Sequence, residues 1–227
     1  LGLVGGLGPE STILYYHDLT YSVQKKTGKE LFPNLSIENV NVFEALDFCK
    51  REDYDGLTAY LMDAINNLIK SGADFIALSA NTPHIVFDRL QKLATVPLVS
   101  IIEATCEEAK KQKLQKLGLL GTIFTMTGDF YKNPFINAGI DIITPTIEEM
   151  DLVNDKIANE LEQGIVKEET LKDFQKIITR MKNEQGIEAI ILGCTELPLL
   201  LNDKVSQIPC LDTMKIHIDT LIDRILS

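Results

Sequence analysis

Between Leu57 and Ile69, Leu57, Tyr60, Leu61, Ala64, Ile65, Leu68 and Ile69 recur along one face. Steps of three and four are the period of a helix with one buried face. Gly72 follows, where a helix needs a residue free to turn left-handed and stop. The plan returns at Leu171, Phe174, Ile177, Ile178 and Met181, with Gly186 as the stop. Around these helices lie short runs dense in aliphatic residues: LGLVGG from Leu1, SIENVNV, FIALS, PLVSI, LGLLG, GIDII and AIILG. Such runs predict strands. Their alternation with helices predicts an α/β fold, a parallel sheet flanked by helices.

The pattern occurs twice. LGLVGG at Leu1 is echoed by LGLLGT at Leu117, an offset of 116 residues, and FIALSANTPHI is echoed by AIILGCTELPL at 114. Gly72 stands eight residues before Ala80 and Gly186 eight before Cys194. TVPLVSIIEATCEEAKK and QIPCLDTMKIHIDTLID also match as strand then helix, with Ser100 and Asp212 as expected N-caps. Two pseudo-symmetric parallel-sheet domains are expected, residues 1–103 with 210–227, and residues 104–209. Ligands of such sheets sit beyond the carboxyl ends of strands. The expected active site is therefore an interdomain cleft lined by GGLGPEST, SANTPH, GTIFTMTG and GCTELP.

Charge narrows the partners. With 33 acidic and 22 basic residues the net charge is −11, the wrong sign for nucleic acid or an anionic membrane surface. No apolar run reaches the length of a membrane span, and no leader segment is expected at the N-terminus. The four cysteines lack disulfide-dense or CxxC spacing, which points to reduced thiols in a cytoplasmic protein. The three histidines form no zinc-ligand spacing, so no metal is expected.

Four strand ends carry the candidate chemistry. GGLGPEST lacks the GK[ST] of a phosphate loop and the third glycine of a dinucleotide fingerprint. A plain strand-to-helix turn explains it, and its glycines would let a small anion approach backbone N–H groups. Cys194 sits between Gly193 and the polar pair Thr195 and Glu196. The bland reading is a small core thiol. The sharper one is an exposed tip facing a helix N-terminus, which would lower the thiol pKa toward neutrality. Asn81 and Thr82 either cap a local turn or hold a carboxylate, and Thr122 and Thr125 carry the same two readings. His84 reads as a supporting residue at a helix entry. No GxSxG elbow is present, and a Cys194–His84 acyl-transfer pair has no third orienting group in the sequence.

GGLGPEST, NTxH after the third strand, GTxxTM at the midpoint, GCTE and the run Asp212-Thr213-xxx-His217 together resemble the aspartate/glutamate racemase superfamily, along essentially the whole chain. The resemblance implies two pseudo-twofold α/β domains, a homodimer, a small acidic amino acid as substrate, and no pyridoxal phosphate or metal. It implies two cysteines on opposite faces of the substrate Cα, one removing and one returning a proton. Cys194 matches one. Asn81, Thr82, Thr122, Thr125 and Thr195 match groups that hold the α-carboxylate, and Gly8 and Thr12 match the N-terminal loop.

Ala80 falls where the second catalytic cysteine belongs. Every neighbour still fits the pattern, so the sequence reads as a racemase of aspartate or glutamate with that cysteine replaced by engineering. If the alanine is natural, two other readings open. One is a single-cysteine decarboxylase of the arylmalonate type, and the other a non-catalytic binder of acidic amino acids. The arginine expected for the side-chain carboxylate has no clear match: NVFEALDF offers Asn41 and Glu44, followed by Lys50 and Arg51.

Overall fold

Continuous apolar runs such as AIILG are strands buried on both faces, because a parallel sheet is covered by helices on each side. The structure, a computed structural model describing residues 1–227, contains two such sheets. The first is built from β1 (Gly2–Gly5), β2 (Ser36–Asn39), β3 (Ile76–Leu78) and β4 (Leu98–Val99) in the order β2-β1-β3-β4. The second comprises β5 (Lys116–Gly121), β6 (Asp141–Ile143), β7 (Ala189–Gly193) and β8 (Cys210–Asp212) in the order β6-β5-β7-β8. Every pairing is parallel. Each predicted run therefore holds a strand, and the two halves share one topology.

Helices α1 (Pro9–Thr27), α2 (Val42–Lys50), α3 (Tyr54–Lys70), α4 (Phe87–Leu93) and α5 (Ile101–Lys111) follow the strands of the first half. The second half carries α6 (Ile123–Thr127), α7 (Asp129–Asn137), α8 (Ile147–Asn159) and α9 (Glu168–Arg180), and α10 (Thr213–Leu226) ends the chain. One unit comprises Leu1–Ala104 with Met214–Ser227, the other Thr105–Thr213. The first boundary falls inside α5. At the second, β8 stays with its own sheet and the chain returns at Met214, later than the change of domain read from the sequence at residue 210.

In the first unit α1 and α10 cover one sheet face. Tyr15, Leu19 and Val23 meet Leu3, Ala77, Val99, Ile218, Leu221 and Ile222. His217 fixes this layer. Its Nε2 donates to the Val99 carbonyl at 3.1 Å and its Nδ1 accepts from Tyr15 Oη at 2.7 Å, all three residues being buried. A carbonyl can only accept, which sets the tautomer. Burial, aided by the nearby His84, lowers the His217 pKa to about 3.

In the second unit β7 alternates as a strand must. Ile190 and Leu192 join Val153 and Ile157 of α8 and Phe174, Ile177 and Ile178 of α9 in a single core. Each fully buried side chain of this size contributes about 1.5–3 kcal/mol. The two predicted helix stops behave alike: Gly72 has φ +90° and Gly186 φ +70°. Before Gly186 the helix first widens into a π turn, Met181–Gln185. Ser100 caps α5 by accepting from the Glu103 N–H at 3.2 Å. No helix is long and apolar enough to cross a membrane.

Candidate active site

In each sheet the connections leave in opposite directions between two central strands, β1 and β3 or β5 and β7. That topological switch is where α/β sheets leave a crevice at their carboxyl ends. In the first unit the switch is formed by the loop after β1 and the turn after β3. Gly6 has φ +75°, and a Cβ there would lie 2.2 Å from the Val40 carbonyl oxygen, so only glycine fits. Thr12 locks the loop: its Oγ1 accepts from the Gly6 N–H at 2.9 Å and donates to the Gly8 carbonyl at 2.9 Å. Ser11 Oγ reaches the carbonyls of Gly8 at 2.8 Å and Ser79 at 3.2 Å, tying this loop to the β3 tip.

Ala80, Asn81 and Thr82 are buried at that tip, where Asn81 begins a 3₁₀ turn, Thr82–Val86. Ser79 Oγ beside them is buried with no hydrogen-bond partner. His84 supports the turn from behind. Its Nδ1 donates to the Ala80 carbonyl at 3.0 Å and its Nε2 accepts from the Ile101 N–H at 3.3 Å. Its ring stacks on Phe87, with centroids 4.9 Å apart. Burial lowers its pKa to about 4. Both ring nitrogens are engaged by backbone, so His84 holds residue 80 in place.

In the second unit glycine again permits a close approach. A Cβ on Gly193 would lie 2.8 Å from the Leu120 carbonyl oxygen. Thr122 caps α6, its Oγ1 accepting from the Thr125 N–H at 3.4 Å and lying 3.2 Å from Thr125 Oγ1. Asn154 of α8 accepts from the Ile123 N–H at 2.9 Å and anchors the same loop. After β7, Cys194, Thr195 and Glu196 are only 7%, 7% and 6% exposed. Cys194 Sγ donates to Glu196 Oε2 at 2.9 Å, and Thr195 Oγ1 donates to the same oxygen at 2.9 Å.

Two expectations for this tip are thereby corrected. The tip is covered, not exposed. The thiol pKa is also raised well above its ordinary value, first by burial and then by the Glu196 carboxylate. The turn that follows is a three-residue 3₁₀ segment, Leu197–Leu199, too short to supply the dipole of a helix. Cys194 at rest is a thiol.

The candidate residues thus gather on four strand tips: Gly8, Thr12, Ala80, Asn81 and Thr82 in the first unit, and Thr122, Thr125, Cys194 and Thr195 in the second. Sequence reasoning missed the bond from Glu196 to the thiol and the anchoring by Asn154. A carboxylate two residues after the cysteine was the available signal for the first. The residues weighed for a side-chain carboxylate serve locally. Asn41 caps α2, and Arg51 pairs with Asp47 at 3.0 Å while lying over Phe48. No group of three His, Cys, Asp or Glu side chains could hold a metal ion.

Comparison with known proteins agrees along the chain. The family profile described as Asp/Glu/Hydantoin racemase matches residues 4–221. The chain is 26% identical to the broad specificity amino-acid racemase RacX of Bacillus subtilis over 218 residues, covering 94% of this chain and 92% of that protein. The crystal structure of an aspartate racemase homologue from Pyrococcus horikoshii superposes with a TM-score of 0.85 at 36% identity, covering 100% of this chain and 98% of the other. A crystal structure from Yersinia pestis gives a TM-score of 0.92 at 33% identity with the same coverage.

Proposed function

The chain belongs to the Asp/Glu/hydantoin racemase family, and from that premise we propose that it acts on aspartate or glutamate, moving a proton at Cα without a cofactor. Cys194 is the acid/base group for one face of that carbon. Residue 80 is the position for the other, and this reading takes Ala80 as a replaced cysteine. Asn81, Thr82, Thr122, Thr125 and Thr195 are the proposed α-carboxylate ligands, with Gly8 and Thr12 shaping the N-terminal loop. The likeness to an aspartate racemase homologue at 36% identity over nearly both chains supports the substrate class. Four free cysteines suit a reducing, cytoplasmic setting, and the resemblance favours a homodimer.

One observation carries the reading: a thiol at the β7 switch tip is bonded to a carboxylate at 2.9 Å. Acid/base groups held so contribute about 10²–10⁴-fold to rate, or roughly 3–5 kcal/mol at ~1.36 kcal/mol per decade. The chain with Ala80 lacks that contribution on one face. The test is Ala80→Cys. It is expected to racemise L- or D-aspartate or glutamate, followed by optical rotation, at least ~10²-fold faster than the unaltered chain. Optical rotation that stays constant for both amino acids would refute the assignment.

A further inference from the structure

Glu196 is a buried carboxylate that no step above uses. It accepts from Cys194 Sγ at 2.9 Å and from Thr195 Oγ1 at 2.9 Å. Both bonds end on one oxygen, which accepts twice, as its two lone pairs allow. Glu162, in the turn Leu161–Gln163, is the second negative group that acts on the sulfur. A bare thiolate here would stand beside like charge in a buried site, which is costly. The equivalent of Glu196 in the first unit, by the 114-residue offset, is Thr82, so this carboxylate belongs to one half alone.

We infer that Glu196 is a positioning residue that stores the Cys194 proton, so that the Cys194–Glu196 pair, with one proton between its members, is the base of the proposed reaction. The step balances without a co-reactant. The thiol proton moves from Sγ to Glu196 Oε2. The substrate Cα–H bond then breaks, its proton forming a new S–H bond and its electron pair staying on Cα. The pair has gained one proton and lost one negative charge. Reversal returns the proton to carbon and restores the S–H···carboxylate bond. Glu196 makes the thiolate hard to form as a free species, yet lets it form transiently with no net change of charge. The inference rests on the proposed function for its substrate, but the Cys194–Glu196 coupling can be read without one.

The test uses the full chain and two measurements. The ultraviolet absorbance of the Cys194 thiolate is titrated with pH as a difference against Cys194→Ala, in the otherwise unaltered chain and with Glu196→Gln. Solvent deuterium entry at Cα of aspartate and glutamate is measured at neutral pH in the same proteins. Glu196→Gln is expected to move the thiolate titration to lower pH, toward the ordinary ~8.5 of a cysteine, while slowing α-exchange by roughly 10²-fold or more. Glu196→Asp is expected to restore part of the exchange. A purely structural carboxylate would not drive the two readings in opposite directions. A titration unmoved by Glu196→Gln overturns the inference, as does exchange that rises with the thiolate fraction. If the unaltered chain exchanges nothing while the titration still moves, the proposed function falls and the coupling stands.

Discussion

Replacing Gly193 with alanine sets a methyl group 2.8 Å from the Leu120 carbonyl oxygen, 2.9 Å from Leu119 Cδ1 and 3.1 Å from Thr125 Cγ2. The first of these is backbone in the neighbouring strand β5, so it cannot rotate away. Reaching an ordinary contact of 3.4 Å requires the β7 tip to retreat by about 0.6 Å. Overpacking of this kind costs about 1–3 kcal/mol. It also displaces Cys194, the next residue. A 1 Å misplacement of a reacting group costs on the order of 10²-fold, so a shift of about 0.6 Å should slow α-exchange by about tenfold. Gly186→Ala is the control. No atom lies within 4 Å of the place its methyl would take, but φ is +70°, so the cost is conformational, about 1–2 kcal/mol. Both variants should lose several degrees in Tm, at roughly 2–4 °C per kcal/mol for a chain of this size. Only Gly193→Ala should lose exchange beyond its loss of folded protein. Native exchange in Gly193→Ala, or an equal deficit in Gly186→Ala, would refute the claim that this contact positions the thiol.

Cys194→Ala should abolish α-exchange while calorimetric affinity for the same amino acid changes by no more than a few-fold, since a proton-transferring group need not be a binding group. His217→Phe should destabilise the chain by about 2–4 kcal/mol in urea unfolding, because it removes the buried hydrogen bonds to the Tyr15 hydroxyl and the Val99 carbonyl, at about 1–3 kcal/mol each. Acid should act through the same residue. The folded pKa values of His84 and His217 lie at about 4 and about 3, below the ordinary 6.5, so the unfolded chain binds more protons below that pH. Their contribution is intact above about 6.5 and falls as pH drops toward 4 and 3, by up to ~1.4 kcal/mol per pH unit for each group. His217→Phe should show a shallower loss over that window.

The central strands were legible because their chemistry is uniform: AIILG is apolar and buried at every position, as burial on two faces demands. The helix stops at Gly72 and Gly186 were legible because few residues tolerate positive φ. The site was legible as a set of residues and not as a set of bonds. Sequence places Glu196 two residues after Cys194, yet cannot say that its carboxylate folds back onto the sulfur. It placed a helix N-terminus after Cys194, where the chain makes only a three-residue turn. The dipole argument required a length that composition does not reveal. The anchoring of Ile123 by Asn154, 31 positions away, lies beyond any local pattern. Thr122 and Thr125 held two readings, and the capping one is visible in their hydrogen bonds.

Duplication gave the two sheets one topology but not one chemistry. After β3 the chain presents a methyl, an amide and a hydroxyl at residues 80, 81 and 82, backed by an imidazole whose nitrogens both serve the backbone. After β7 it presents a thiol, a hydroxyl and a carboxylate at residues 194, 195 and 196, bonded to one another. Of these two tips, only the one after β7 carries a thiol and a carboxylate. On the proposed function, the chain with Ala80 should exchange the α-proton of a single enantiomer, with retention, because the proton must return to the face it left. Chiral chromatography of aspartate or glutamate incubated in heavy water, with mass detection, separates the outcomes. Deuterium in one enantiomer, with its configuration kept, is expected. Equal deuterium entry from both enantiomers would mean that a second acid/base group serves the other face, and the assignment of Ala80 to an inert position would be wrong.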